Sequence, residues 1–350
     1  MVALAFRCYA LTLVPSAQTT EPSISSGASS GARRAASTLA KVGVSALALG
    51  IVWREVDSAA LVRVFAQTNP WTVGLVLIIY LAGQVLTAYR WKFISQRLGF
   101  DRSLREMTRI YFIGMFFNLF GPSTLGGDVV RSLYLGASDG RRAVAFNTVI
   151  FDRVSGLAML VLVAVAAIAL FGRFGLPWPV VAVAVAAGVA LTVGWWVVPP
   201  LARRVLARDS RWLRLIEQEL GPFWGDRRLI QRAAWVSVGF HVLQVLSLIL
   251  LGSAISMRVD WRYYFIFHPL VTVLSALPLT LAGLGIREGG YLWFLHRQGV
   301  DDETAVAFGL LWFVVLTVSS LTGGLVYLAG GTAVPALRGT RTDVERALPE

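Results

Sequence analysis

The chain is 350 residues long, 56% hydrophobic and only 15% charged, with a mean hydropathy of +0.66. A soluble domain carries about 25% charged residues; a single apolar run near the ~20 residues that cross a hydrocarbon core would fit a buried helix, but five such runs exclude a soluble fold. The net charge of +12 does not point to nucleic acid, because the arginines gather in loops between the apolar runs, as in cytoplasmic loops of membrane proteins, and the single cysteine, Cys8, excludes an internal disulfide or a thiolate metal site.

Residues 1–38 open with an apolar stretch from Met1 to Val14, broken by Arg7, followed by Ser, Thr, Gly and Ala from Ser16 to Ser37. The apolar part is short and its basic residue misplaced for a signal peptide, so a disordered cytoplasmic tail is expected. Leu39–Trp53 reads as a short first span, Arg54–Asn69 as a mixed-charge loop and Trp71–Tyr89 as the second span. Arg90, Trp91 and Lys92 then open a loop with Arg97, Arg102, Arg105 and Arg109, set against Asp101 and Glu106. The positive-inside rule puts this loop in the cytoplasm. Lys41 and Lys92 are the only lysines, which together with the Ala and Val richness hints at a high-GC bacterial genome.

Val149–Phe171 and Val180–Val198 make two crossings joined by a turn near Pro177. They lead to a second basic loop, 199–234, with Arg203, Arg204, Arg208, Arg211, Arg214, Arg227, Arg228 and Arg232. Within it Trp212, Ile216 and Leu220 recur at helical spacing, which predicts an amphipathic helix on the cytoplasmic leaflet. With both basic loops inside, residues 107–148 must begin and end inside. Yet Ile110–Phe120 and Val129–Gly136 flank a break at 121–127, and each half is too short to span. A re-entrant hairpin over about residues 107–136, entering from the cytoplasm, satisfies both constraints. Trp235–Ile255 then crosses outward and Arg258–Arg262 forms a brief outer loop. Tyr263–Ala276 and Gly289–Leu295 flank a second break at Pro278–Gly285. That predicts a second hairpin, over about residues 263–298, entering from outside. Ala305–Leu328 returns the chain inward to a tail, 331–350, bearing Arg338, Arg341 and Arg346. The expected fold is all-α: a polytopic helical membrane protein over residues 39–330, with about six full spans plus two opposed re-entrant hairpins in an inverted-repeat-like arrangement. Both termini are expected on the cytoplasmic side of the plasma membrane.

The two breaks share a pattern. Pro122-Ser-Thr124-Leu-Gly126-Gly127-Asp128-Val-Val-Arg131 and Pro278-Leu-Thr280-Leu-Ala282-Gly283-Leu-Gly285-Ile-Arg287 both read Pro-x-Thr-x-small-Gly-x-x-x-Arg, and Glu288 follows the second. Irregular backbone at membrane depth survives only where protein covers it or where it lines a wet cavity. Charges there cost on the order of 2.5–3.5 kcal/mol each. Pairing Arg131 with Asp128 or Asp152, and Arg287 with Glu288, would lower that cost, and half-helix ends offer dipoles to an anionic headgroup. The bland alternative is that these charges, Asp152 and Arg153 above all, snorkel to the interface. His241 and Gln244 fit helix–helix hydrogen bonds better than ligand contacts; Asn118 and His268 lie in half-helices and fit either role. No metal spacing, P-loop or Ser-His-Asp order stands out, and no cofactor is expected.

Asn118, Pro122, Gly126-Gly127-Asp128 and Arg131, then Asp152-Arg153, then Pro278, Gly283-Leu-Gly285-Ile-Arg287-Glu288, resemble the lysylphosphatidylglycerol synthase transmembrane region. That group is also called flippase-like and includes YbhN-type and archaeal AglD-type membrane regions. The resemblance covers about residues 40–330. It implies movement of a polar lipid between leaflets; in the best-known members the lipid is made by a separate soluble C-terminal domain, and none is expected here. The implied substrate path is Asn118, Pro122, Thr124, Gly126, Gly127, Asp128, Arg131, Asp152, Arg153, Pro278, Thr280, Gly283, Gly285, Arg287 and Glu288. The expected partners are membrane lipids, anionic or polyprenyl-linked, with a glycosyltransferase or synthase as a further partner. A membrane-embedded transferase on a lipid-linked substrate, or an accessory subunit of such an enzyme, remain the alternatives.

Overall fold

The computed structural model describes residues 58–120, 126–137, 140–205, 221–276, 280, 283 and 285–330. The expected first span Leu39–Trp53, the amphipathic stretch at Trp212, both terminal segments, and Pro122, Thr124 and Pro278 lie outside the described residues. All regular structure within them is helical: α1 Ser58–Gln67, α2 Pro70–Arg97, α3 Leu104–Phe120, α4 Gly126–Gly136, α5 Arg142–Phe171, α6 Trp178–Val205, a short α7 Gly221–Trp224, α8 Arg227–Ala254, α9 Trp261–Ser275, α10 Ile286–His296 and α11 Asp302–Ala329. Five of these, α2, α5, the Trp178–Val198 part of α6, α8 and α11, are long and apolar enough to cross a membrane.

Local chemistry sets the helix ends. Asn69 accepts hydrogen bonds from the Trp71 and Thr72 amides, and Pro70, which has no amide to leave unpaired, starts α2. Asp226, Asp260 and Asp301 cap α8, α9 and α11 in the same way, accepting from the amides of Leu229, Arg262 and Thr304.

Three sequence expectations need correction. The basic segment 199–234 is not simply a loop, because α6 runs on to Val205 and α8 starts at Arg227, so Arg203, Arg204, Arg227, Arg228 and Arg232 are helical. Arg54–Asn69 is not simply a loop, because α1 occupies Ser58–Gln67. Its Leu61, Val64 and Phe65, at helical spacing, pack on Val306 and Ala307 of α11. The second span does not stop at Tyr89, and Arg90, Trp91 and Lys92 are not loop residues. α2 continues to Arg97, since nothing between breaks a helix, and Arg90 and Trp91 are buried in the bundle. The helix stops at Leu98, before Gly99 turns to φ +83, a conformation that suits glycine.

The bundle has two chemically different ends. At one, Arg97 pairs with Asp226 at 3.3 Å, Arg141 donates to the Leu98 carbonyl, and Arg109 donates to the Gly330 carbonyl. At the other, the Asn69 amide bonds to Ala254 O, Gln298 donates to Phe174 O, and His296 lies 2.7 Å from Asp302. α2 and α8 are therefore antiparallel neighbours, and α5 packs against α2, α4, α6, α8 and α9. The helices flanking the breaks are short. At 1.5 Å per residue, the 17 residues of α3 reach about 26 Å and the 11 of α4 about 17 Å. The 15 residues of α9 and 11 of α10 reach about 23 and 17 Å. α3 and α4 pack on each other, as do α9 and α10. α4 ends against the start of α5, where a Cβ on Gly136 would meet the Arg142 backbone.

An aromatic core ties the later helices together. Phe267 of α9 meets Tyr264, Tyr291 of α10 and Phe308 of α11 at ring separations of 5.1, 5.8 and 6.3 Å. Apolar side chains also cover the outside: Val183, Leu325 and Leu328 are strongly exposed. That coat would be an aggregation surface in water and suits a hydrocarbon surrounding.

Candidate functional site

Most of the buried charged residues are gathered around α4 and α5. Asp152 of α5 accepts from Arg90 Nε at 2.9 Å and from Arg131 Nη2 at 3.2 Å. Arg90 also donates to Ser237 Oγ of α8 at 2.7 Å and to the Asp152 carbonyl at 3.0 Å. Arg131 lies 3.6 Å from Asp128, one helical turn back on α4, and Arg153 Nε lies 2.6 Å from the other Asp128 oxygen. Asp128 is wholly buried. Its oxygens face two guanidinium groups by charge, without a well-aligned hydrogen bond from the described residues. Three arginines and two aspartates from three helices thus form one network, in which pairing reduces the cost of burial.

The aromatic residues hold Arg131 in place. Its Cζ sits 4.2 Å from the Trp91 ring centre and 4.4 Å from that of Tyr111, so the cation lies against two π faces. Trp91 is fixed in turn by its indole N–H, which donates to Thr148 Oγ1 at 3.0 Å.

The glycines of the first break have a geometric role. Asn118 Oδ1 accepts the Gly127 amide at 2.7 Å, joining the end of α3 to the first turn of α4. That amide is one of the donors a helix start leaves unpaired. A Cβ on Gly127 would overlap the Gly114 carbonyl, and one on Gly114 would strike the stem of Arg131. Gly126 opens α4. On its other face α3 meets α11, where a Cβ on Gly323 would overlap the Phe112 carbonyl. Small residues at such crossings let helix backbones touch.

The second break carries a smaller charged unit. Arg287 binds Glu288 through Nε at 3.0 Å and Nη2 at 2.6 Å. Glu288 reaches back with its other oxygen to the Gly285 amide at 2.7 Å. That reach is half of a capping box and starts α10 from Gly285, whose φ is +83. Arg287 also faces the Phe313 ring at 5.1 Å. Gly283, at φ +77, packs on Ser275 at the end of α9. Thr280 is buried, and its hydroxyl has no partner among the described residues.

Between the two units lie polar groups of the helix cores. His268 Nδ1 is 3.1 Å from the Tyr291 hydroxyl, and His241 Nε2 donates across α8–α5 to the Gly156 carbonyl at 3.2 Å. Tyr80 of α2 meets the Trp312 ring of α11 edge-on at 5.4 Å. Of the expected path residues, Asp128, Arg131, Asp152 and Arg153 come together; Arg287 and Glu288 form a separate pair. Arg90, Ser237, Trp91 and Tyr111 complete the first network without having been singled out. Arg90 hid in a run of basic residues that reads as a loop, while Ser237 and Tyr111 carry no charge to mark them. Among the described residues no group of three or more His, Cys, Asp or Glu could hold a metal ion.

The family described as the lysylphosphatidylglycerol synthase TM region matches residues 38–324. A UPF0104 membrane protein of Methanothermobacter thermautotrophicus is 22% identical over 271 residues, covering 69% of this chain and 80% of that protein. Another UPF0104 membrane protein, of Methanocaldococcus jannaschii, is 32% identical over 101 residues. That match takes in 28% of this chain and spans only 30% of its relative's length. No solved structure matches the chain. With a family match that runs from before the first described helix into α11 and takes in both charged units, this chain belongs to the lysylphosphatidylglycerol synthase transmembrane-region family of integral membrane proteins.

Proposed function

We propose that this protein is a lipid translocator, moving a polar or prenyl-linked lipid between leaflets without a synthase activity of its own. The observation that carries this reading is the buried arginine–aspartate network built on an interrupted helix pair within a bundle of span-length helices. Ionised groups at such depth are costly and mark polar pathways. The acids of the network are engaged by guanidinium groups, which suits holding and passing an anion better than drawing a proton from a substrate. The family to which the chain belongs is named for a membrane region of a lipid synthase, which further supports a lipid as cargo.

Both interrupted pairs act as re-entrant hairpins in this reading. In support, α3 follows the Arg97 end and α4 returns to it at Arg142, while α9 starts at Asp260 and α10 finishes beside Asp302 at the opposite end. Opposed broken helices are the transporter arrangement in which half-helix ends meet a substrate. Arg131 and Arg287 stabilise the lipid phosphate in transit, while Asp128, Asp152 and Glu288 position those arginines. Arg97, Arg141, Arg142, Arg227 and Arg228 at one end of the bundle support a cytoplasmic placement of that end in the plasma membrane, with both termini on the same side. A soluble glycosyltransferase or synthase is the partner that would supply or consume the lipid.

The test is leaflet exchange of fluorescent phospholipids in liposomes holding the full chain. Wild type should speed exchange over empty liposomes, and the double variant Arg131→Ala/Arg287→Ala should not; Arg287→Lys, which keeps the charge, controls for folding. Equal exchange in wild type, double variant and empty liposomes across several lipid classes would overturn the proposal.

A further inference from the structure

We propose that the cleft between α5–α6 and α9–α10 seats one acyl chain of a phospholipid from the leaflet at the Asp302 end of the bundle, with Arg173 and Arg297 holding its phosphate. The seat shares no residue with the arginine–aspartate network and does not rest on the translocator reading. Its cavity, about 470 Å³, is walled by Val161 of α5, Pro179 and Ala187 of α6, Leu274 of α9 and Trp293 of α10, and every lining residue is apolar or aromatic. Val183, Leu274 and Trp293 are exposed along its rim, so the cleft opens sideways, where a membrane protein meets lipid tails.

The height of the cleft matches one leaflet. Trp71, Trp178 and Trp261 stand exposed in the first turns of α2, α6 and α9. Tryptophans so placed mark the membrane–water interface. The α6 wall starts beside Trp178, at Pro179, and ends at Ala187, eight residues or about 12 Å deeper. Half of a hydrocarbon core is about 15 Å. Over that length 470 Å³ corresponds to a cross-section of about 40 Å², half the roughly 80 Å² of a helix about 10 Å across. A helix from a second copy is too wide for the cleft, and a hydrocarbon chain is not.

The roof of the cleft carries the charge. Gln298 donates to the Phe174 carbonyl at 3.2 Å, tying the end of α10 to the α5–α6 turn. Arg297 and Arg173 are the sequence neighbours of these two residues, and both are exposed. Each lies over a tryptophan at the cleft: Arg297 Cζ is 3.5 Å from the ring centre of Trp293, and Arg173 Cζ is 5.1 Å from that of Trp178. Each gives one N–H to a backbone carbonyl, that of Trp293 and that of Leu176 respectively. A guanidinium has five N–H donors. Neither arginine meets a carboxylate among the described residues, whereas Arg262, 6.0 Å from the Phe174 ring, is closed by Asp260. Cationic donors held at headgroup height above an apolar cleft complement a phosphate whose chain descends into it.

The experiment uses the purified full chain in neutral detergent and a phosphatidylglycerol whose acyl chain ends in a photoreactive diazirine. Adducts should map to the α6 and α9 walls, residues 180–187 and 270–274. Phosphatidylglycerol should displace the probe about tenfold better than diacylglycerol, which lacks the phosphate, or glycerophosphoglycerol, which lacks the chains. Arg173→Gln/Arg297→Gln should lower affinity for phosphatidylglycerol about tenfold and leave that for diacylglycerol unchanged. Arg173→Lys/Arg297→Lys, which keeps both charges, should retain most of the affinity. Ala187→Trp, which fills the cleft from α6, should weaken both lipids. Adducts confined to other surfaces, equal competition by diacylglycerol, or unchanged affinity in the glutamine variant would each overturn the proposal. A shift of oligomeric state in Ala187→Trp with lipid binding intact would give the cleft to a second copy and overturn it too. Binding is read without leaflet exchange, so a seat that behaves as expected in a protein that moves no lipid would sink only the translocator reading.

Discussion

Asp152→Asn removes one charge from the centre of the network while keeping the shape of the side chain. In the folded protein the carboxylate touches Arg90 at 2.9 Å and Arg131 at 3.2 Å, both almost fully buried. Each such contact is worth about 5–6 kcal/mol of gross attraction at an effective dielectric of about 20. Desolvation offsets much of it in the intact network. Removing the acid alone strips Arg90 and Arg131 of their shared counter-charge and leaves Asp128 facing Arg131 and Arg153, and stripping one partner from a buried pair costs about 3–5 kcal/mol. Unfolding of the detergent-solubilised protein should therefore show a loss in that range for Asp152→Asn. The double variant Arg90→Met/Asp152→Leu removes charge from both sides, and should be more stable than the sum of its singles by about 2–3 kcal/mol. A loss below about 1 kcal/mol for the single variant, or strict additivity in the cycle, would show that the network is solvated and that the buried-pair reasoning fails.

Three further outcomes follow from the geometry. Gly127→Ala drives a methyl into the Gly114 carbonyl and should lower stability by about 1–3 kcal/mol, measured by the same unfolding assay; a neutral result would mean that α3 and α4 do not cross where described. Trp91→Ala removes a π face from Arg131 and the bond to Thr148, and should cost about 3–5 kcal/mol as a buried aromatic truncation; Thr148→Val, which keeps the ring but leaves its buried N–H without a partner, should cost about 1–3 kcal/mol. At the capped start of α9, Arg262 holds the Asp260 carboxyl below the usual aspartate range. Because the folded value is depressed, the cap is fully present above the ordinary aspartate pKa and is lost as pH falls through the lowered one. Amide exchange at Arg262, corrected for intrinsic rate, should show unchanged protection from pH 7 down to about pH 4, the ordinary aspartate value; protection half lost there would contradict the pairing.

Much of the architecture was legible because a hydrocarbon solvent demands long apolar helices, and α5, α6, α8 and α11 follow from their runs. The breaks were legible for the opposite reason, since Gly and Pro interrupt runs that otherwise would span. Charges inside apolar segments drew attention to Asp128, Arg131, Asp152, Arg287 and Glu288, and a buried charge must find a counter-charge. Arg90 escaped because hydropathy treats an arginine beside Lys92 as the end of a span. Only the tertiary contact with Asp152 reveals that α2 carries it inward. Ser237 and Tyr111 escaped because a hydroxyl in a helix has a bland use, bonding its own backbone, as Ser237 also does to Ala233. The ranking among arginines was beyond reach too, because spacing on α4 and α5 cannot tell a clamped guanidinium from a half-exposed one.

The glycine crossings of α3 have a mechanical consequence. Gly114 meets Gly127 on one side, and Phe112 meets Gly323 on the other, at nearly the same height along the helix. Sliding α3 by one turn, about 5.4 Å, would bring residues with side chains opposite those glycine windows, so an axial ratchet is sterically closed. A tilt is not. The crossing then acts as a fulcrum, with two arms of similar length. Arg109, five residues to one side, grips the Gly330 carbonyl, and Asn118, four residues to the other, grips the Gly127 amide. Because the grips lie on opposite arms and opposite faces, rocking α3 to free one also loosens the other, so the tail end of α11 and the first turn of α4 are coupled through one tilt.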